Sequence, residues 1–68
     1  MGVNTAIKDY LEEHGISQTW LAKKTGMKVK TVNDMVNGNR KVSAIDLAKI
    51  SKALGISADV FLDNISLN

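Results

Sequence analysis

The 68-residue chain has no cysteine, no proline, a single histidine and no long apolar run, and each absence removes a class of structure. Without cysteine, neither a disulfide nor a thiolate metal site can staple the fold, so a domain of this size must rely on its apolar core, and the cytoplasm is the natural compartment. Without proline or any useful length of strand-like alternation, an all-helical reading has little competition. The first fifteen residues carry acids and no continuous apolar stretch, so neither a signal peptide nor a membrane span is expected. Gly2 is no convincing acylation site, because residue 6 is Ala rather than Ser or Thr. His14 has no Ser, Cys or acid at a triad spacing, and Glu12 and Glu13 are adjacent and so point in different directions on a helix. Neither catalysis, metal binding nor a cofactor is expected. A chain this short buries only about 60% of its unfolded surface, which implies one domain over residues 1–68 with modest stability, or stability shared with a partner.

What is present is an uneven charge distribution. The formal net charge is +2, but residues 23–41 hold six bases (Lys23, Lys24, Lys28, Lys30, Arg40, Lys41) against the single acid Asp34, a local +5. The rest of the chain sets Lys8, Lys49 and Lys52 against Asp9, Glu12, Glu13, Asp46, Asp59 and Asp63, a local −3. A basic end and an acidic end are what a phosphate-facing surface requires, although a solvated surface accounts for most charge runs.

Five helices are expected. Asn4 or Thr5 can cap the first, in which Ile7, Leu11 and His14 recur at helical spacing, with Tyr10 bordering that face, His14 partly packed on the core and Gly15 as the stop. Four further starts share a hydrophobic staple, an apolar residue before the cap paired with one five positions later: Ile16 with Leu21, Met27 with Val32, Val42 with Leu47, Ile56 with Phe61. The caps are Ser17, Lys28, Ser43 and Ser57, and Ser43 with Asp46 resembles a capping box. Lys28 is the exception, since its side chain cannot accept a hydrogen bond and its charge opposes the helix dipole. Either a nearby phosphate gains from that charge, or the position is a tolerant surface site. The fourth helix, 43–54, places Leu47, Ile50 and Leu54 on one side before Gly55, and a short fifth runs over about 57–62.

The stretch 17–38 organises the chain. Leu21 and Ala22 share a face of one short helix, Gly26 sits where that helix must stop and reverse, and Val32 and Met35 share a face of the next. With Gln18 opening the motif and Asn37-Gly38 closing it, this spacing resembles the helix-turn-helix of the lambda and P22 type phage repressor and Cro (XRE-like) family. The resemblance covers nearly the whole chain. It implies an all-α, five-helix, lambda-repressor-like DNA-binding domain, with the helix-turn-helix at helices 2 and 3.

The second helix of such a motif enters the major groove with its N-terminal residues nearest the bases. The implied base-contacting residues are Lys28, Val29, Lys30, Asn33 and Asp34. Lys30 can donate to guanine, Asn33 can pair with adenine, and Val29 can pack on a thymine methyl. Asp34 can accept from cytosine N4, or can pair with Lys30 one turn earlier; relatives often carry a base here. Gln18, Thr31, Asn39, Arg40 and Lys41 are the implied phosphate contacts, Gln18 matching the family residue that bridges DNA and the recognition helix. Trp20, where relatives often have Glu, is either a contact at a partly exposed edge or a lid on the core.

The apolar tail residues Leu62, Ile65 and Leu67 either form a symmetric dimer contact, with 62–68 as a dimerisation tail, or fold back on their own core. The implied partner is double-stranded DNA, most simply a palindromic operator bound by a homodimer, with no membrane role. The leading function is a sequence-specific repressor of phage or bacterial type. The alternatives are an antitoxin or other protein-interaction module on the same fold, and a purely structural helical domain.

Overall fold

The computed structural model describes residues 2–62. Among them the backbone forms five helices: α1 (Val3–Glu13), α2 (Gln18–Thr25), α3 (Val29–Val36), α4 (Ala44–Leu54) and α5 (Asp59–Leu62). The helix ends are built alike. After each of the first four helices comes a glycine, and the N–H of the residue after it donates to a carbonyl five positions back: Ile16 to Leu11 at 2.8 Å, Met27 to Ala22 at 3.1 Å, Asn39 to Asp34 at 2.8 Å and Ile56 to Ser51 at 3.0 Å. This is the Schellman closure, which satisfies a carbonyl that the helix leaves open and reverses the chain.

The starts follow the expected pattern. The Ser17 hydroxyl accepts from the Trp20 amide at 3.0 Å. Ser43 and Asp46 form a reciprocal box, the Ser43 hydroxyl accepting from the Asp46 amide at 3.1 Å and the Asp46 carboxylate from the Ser43 amide at 3.3 Å. Ser57 accepts from the Asp59 amide at 3.3 Å, and the helix itself begins at Asp59, two residues later than the expected 57. All four staple pairs pack on or within the core, Leu21, Val32 and Phe61 being fully buried.

Two expectations for α1 fail. The helix begins at Val3 with Gly2 in the cap position, so neither Asn4 nor Thr5 caps it. The Asn4 carboxamide instead reaches across the chain, where it donates to the carbonyls of Met35 (2.6 Å) and Arg40 (2.8 Å). His14 does not pack on the core: it is exposed, because α1 ends at Glu13 and the C-cap backbone of His14 leaves the helical register. Its ring lies 4.1 Å from that of Tyr10, which in turn meets Phe61 edge-on at 5.6 Å.

The core joins Ala6, Ile7 and Leu11 of α1, Leu21 and Ala22 of α2, Val32, Met35 and Val36 of α3, Ile50 of α4 and Phe61 of α5. Full burial of one such aliphatic or aromatic side chain contributes about 1.5–3 kcal/mol, so a set this small leaves little reserve. α3 packs on α1 and α2, α4 on α2, and α5 on α1. Leu47 and Leu54 are half-buried on the α4 face that Ile50 centres. Leu62 is half-buried, and the remaining tail residues of the expected dimer contact, Ile65 and Leu67, lie outside the described residues.

One polar group spoils this core. The Ser51 hydroxyl is buried with no hydrogen-bond partner among the described residues. An unsatisfied buried hydroxyl costs about 1–3 kcal/mol. Ser51→Ala should therefore stabilise the fold by about 1 kcal/mol, raising the thermal midpoint by roughly 4–8 °C in a domain of this size. Melting followed by circular dichroism checks it, and a lowered midpoint would show that the hydroxyl has a stabilising partner.

Candidate nucleic-acid interface

The turn between α2 and α3 is closed on one carbonyl. Ala22 O accepts from the Gly26 and Met27 amides and from the Thr25 hydroxyl at 3.2 Å, and the same hydroxyl also donates to Leu21 O at 2.8 Å. Gly26 has φ +74°, the left-handed region that a side chain opposes and glycine enters freely. Ala22 is buried where α2 packs against α3, and its single methyl permits a close approach. These features set α3 across α2 with Val32, Met35 and Val36 inward.

The outward face of α3 carries Val29, Lys30, Asn33 and Asn37 in sequence to its C-cap. Val29 is 47% exposed, an apolar side chain left in water at the first position of the helix. Lys28 holds the cap position with no side-chain hydrogen bond and is exposed. Lys30 Nζ lies 3.5 Å from Asp34 Oδ2, so of the two readings of Asp34 the structure shows the pairing one turn along the helix. An exposed pair of this spacing contributes only about 0.3–0.5 kcal/mol, so it steers Lys30 without immobilising it. Thr31 is half-buried.

Three carboxamides are linked in a row. Asn33 Nδ2 donates to Gln18 Oε1 at 3.0 Å, and Asn37 Nδ2 donates to Asn33 Oδ1 at 3.1 Å. Gln18 is the first residue of α2, so the row ties the start of α2 to the exposed face of α3. Each primary amide has two donors and two acceptor lone pairs, so Asn33 keeps one N–H and one lone pair for an outside partner. That is what pairing with adenine N7 and N6 needs.

Beyond α3, Asn39, Arg40 and Lys41 form an exposed loop. Arg40 Nη2 lies 3.7 Å from Asp46 Oδ2, and Arg40 O accepts from Asn4, so the loop is held at both its backbone and a side chain. Sequence reasoning missed Asn4, Asn37 and Asp46 as supports of this surface. Ser43–Asp46 spacing was a signal for the cap but not for Arg40, and nothing local marks Asn4, whose partners lie 31 and 36 residues away. The basic segment 23–41 also divides in space. Lys24 lies with Lys49 and Lys52 at the C-terminal ends of α2 and α4, where Gln18 and Asp46 mark the opposite ends of those helices.

A family model described as helix-turn-helix matches residues 7–61. The chain belongs to that family, in its lambda repressor and Cro-like branch. No curated protein and no solved structure matches it. This helix-turn-helix protein is a DNA-binding transcription regulator, and its family is a regulatory rather than an enzymatic one. Double-stranded DNA is its partner. No helix among the described residues is long and apolar enough to cross a membrane.

Two substitutions probe the supports of the surface. Lys28→Ser should supply the missing cap and stabilise the fold by about 1 kcal/mol. If the lysine meets a phosphate, the same change lowers DNA affinity and reduces the salt slope by about 1. Unchanged DNA affinity would make position 28 a plain surface site. Asn4→Ala should cost about 1–2 kcal/mol through two lost hydrogen bonds, read from the denaturant midpoint. Asn4→Asp should do no better, since a carboxylate cannot donate to the two carbonyls; stability retained in either variant would show that the bonds contribute little.

Proposed function

We propose that the protein is a sequence-specific repressor that binds a palindromic operator as a homodimer in the cytoplasm. The observation that carries the reading is the exposed face of α3. Val29, Lys30 and Asn33 stand opposite the buried Val32, Met35 and Val36, and Asn33 is oriented by Gln18 with capacity left for a base. In this reading Lys28, Val29, Lys30 and Asn33 contact bases, and Asp34 acts through Lys30. Gln18, Thr31, Asn39, Arg40 and Lys41 meet phosphate. A single α3 reads too few base pairs to be selective, so two copies related by a two-fold axis would place their recognition helices about 34 Å apart, one turn of DNA. Leu62, with Ile65 and Leu67 beyond it, is the proposed contact between copies.

A second reading, a protein-interaction module such as an antitoxin, draws on Trp20. Its ring is 41% exposed and flanks a shallow hollow of about 270 Å³ formed with Gly15, Ile16 and Ser17. Lys24 Nζ sits 5.5 Å from the ring centroid. An exposed tryptophan beside an apolar hollow suits a protein partner more than it suits DNA.

Reading and gripping separate experimentally. Asn33→Ala should lower affinity for the preferred site by about 1–3 kcal/mol and relax discrimination at one or two base pairs. Lys41→Ala should weaken all sequences alike and reduce the slope of log K against log salt by about 1. The comparison uses the preferred site selected from a random DNA pool, its single-base variants and a scrambled duplex, at two salt concentrations. Equal weakening of every duplex by Asn33→Ala would remove that residue as a reader and leave Val29 with Lys30.

A further inference from the structure

Three lysines that the α3 surface does not use converge elsewhere. Lys24 and Thr25 of α2 and Lys49, Lys52 and Ala53 of α4 line a concavity of about 410 Å³. The ion pairs among the described residues are Lys30 with Asp34 and Arg40 with Asp46, so no described acid answers any of these three lysines. The Thr25 hydroxyl is committed to the carbonyls of Leu21 and Ala22. The concavity therefore offers positive charge on long, mobile stems rather than a fixed hydrogen-bonding pocket. Such a surface suits a broad acidic face better than a small ligand.

The chain itself carries one. Asp9, Glu12 and Glu13 are all exposed, and at 100° per residue they fall within about 100° of arc on α1, with the exposed Lys8 bordering them on the Glu12 side. Glu12 and Glu13 are the last two residues of that helix, which has no base in its last turn. The negative end of the helix dipole disfavours acids there, so the fold gains nothing locally from them. α1 packs on α3 and α5, whereas the concavity is lined by α2 and α4, so the acidic face and the basic concavity belong to different helices.

We propose that the acidic face of α1 docks into the Lys24/Lys49/Lys52 concavity of a second copy of this chain. The two surfaces differ, so the contact is head-to-tail and heterologous, and each copy leaves one surface open at either end of a growing row. This goes beyond the proposed two-fold contact at α5 and involves neither α3 nor the loop after it. Exposed charges in water attract weakly and are screened by salt, so the contact is a low-affinity one that raised ionic strength abolishes.

The test needs no DNA, so its result stands whether or not the reading of the α3 surface holds. Sedimentation of the wild-type chain at low salt should show concentration-dependent assembly beyond the two-fold dimer that disappears at raised salt. The variant Glu12→Lys with Glu13→Lys, and separately the variant Lys49→Glu with Lys52→Glu, should each lose that assembly. At low salt the reversed α1 face of one variant attracts the reversed concavity of the other, and the unaltered concavity and α1 face that remain are the wild-type pair, so an equimolar mixture should recover salt-sensitive assembly as an alternating row. Melting of each variant controls for folding, and the α1 variant should melt no lower than wild type because it removes acids from the negative helix end. Assembly beyond the two-fold dimer that is insensitive to salt or survives either reversal, its absence in the wild type, or failure of the folded variants to recover it on mixing would each overturn the proposal.

Discussion

Closure of each of the first four helices onto its own last carbonyls is the constraint from which the rest of this structure follows. With no cysteine and ten buried apolar core residues among those described, the chain cannot hold its helices by cross-links or by bulk. It holds them by fixing the exit of one helix and the entry of the next in the same few residues. Gly15-Ile16-Ser17, Gly26-Met27-Lys28 and Gly55-Ile56-Ser57 are each a stop glycine, an apolar residue that both closes the Schellman bond and packs on the core, and a cap residue. Three residues thus set the angle between neighbouring helices with almost no loop entropy to overcome. The link from α3 to α4 departs from this rule. Asn39, Arg40 and Lys41 are inserted between Gly38 and the staple residue Val42. Gly38, at φ +79°, still stops the helix, but the extra residues are polar, exposed and basic. Among the described residues, the longest link between helices is thus the one beside the recognition helix.

Much of this was legible in the residues because it is local. Stop glycines, staples, the Ser43–Asp46 box and the Lys30–Asp34 pair all join positions within five residues, where helical geometry dictates who meets whom. The inward Val32 and Met35 follow from the same periodicity, and the match over residues 7–61 agrees with the family to which their spacing pointed. What was not legible depends on tertiary placement. Asn4 looked like a cap because asparagine near a helix start usually is one. Its carboxamide instead found two backbone carbonyls more than thirty residues away, and only the packing of α1 on α3 brings them near. The division of the basic segment was hidden for the same reason. Lys24 is close in sequence to Lys28, yet the reversal at Gly26 sends it to the far end of α2, beside lysines of α4 that the linear charge count had placed with the acids. His14 shows the converse error, in which a helical spacing was extended one residue past the end of the helix.

Three positions break the local rules for helix ends, and they fall at surfaces rather than in the core. Lys28 is a cap that cannot accept a hydrogen bond, and Glu12 and Glu13 are acids at a negative helix end. Each sacrifices a fraction of a kcal/mol to about 1 kcal/mol that a small domain has little room to lose. Ser51 differs, being a buried hydroxyl without a partner, and no surface role accounts for it. The contrast matters because exposed departures can be compensated by a partner's charge, whereas a buried one cannot.

The row of carboxamides from Gln18 through Asn33 to Asn37 links two tasks that the proposed recognition mode would otherwise keep apart. Gln18 stands at the start of α2, where free amides suit a phosphate, and Asn33 stands on the face of α3 proposed to meet bases. Because one donor of Asn33 is given to Gln18 and one lone pair to Asn37, its amide plane is set before any DNA arrives. Ordering a free asparagine side chain on binding would cost part of the energy of the base pair it makes, and here the protein has already met that cost in folding. The same bond constrains Gln18, so a shift of the backbone at one end of the row displaces the amide at the other. Arg40 is held in a comparable way, by Asp46 through its side chain and by Asn4 through its carbonyl. The proposed interface is accordingly more than a patch of free positive charge, since Gln18, Asn33, Asn37 and Arg40 are each already bonded to a neighbour. Its geometry rests on the angle at which Ala22 and Gly26 let α3 cross α2.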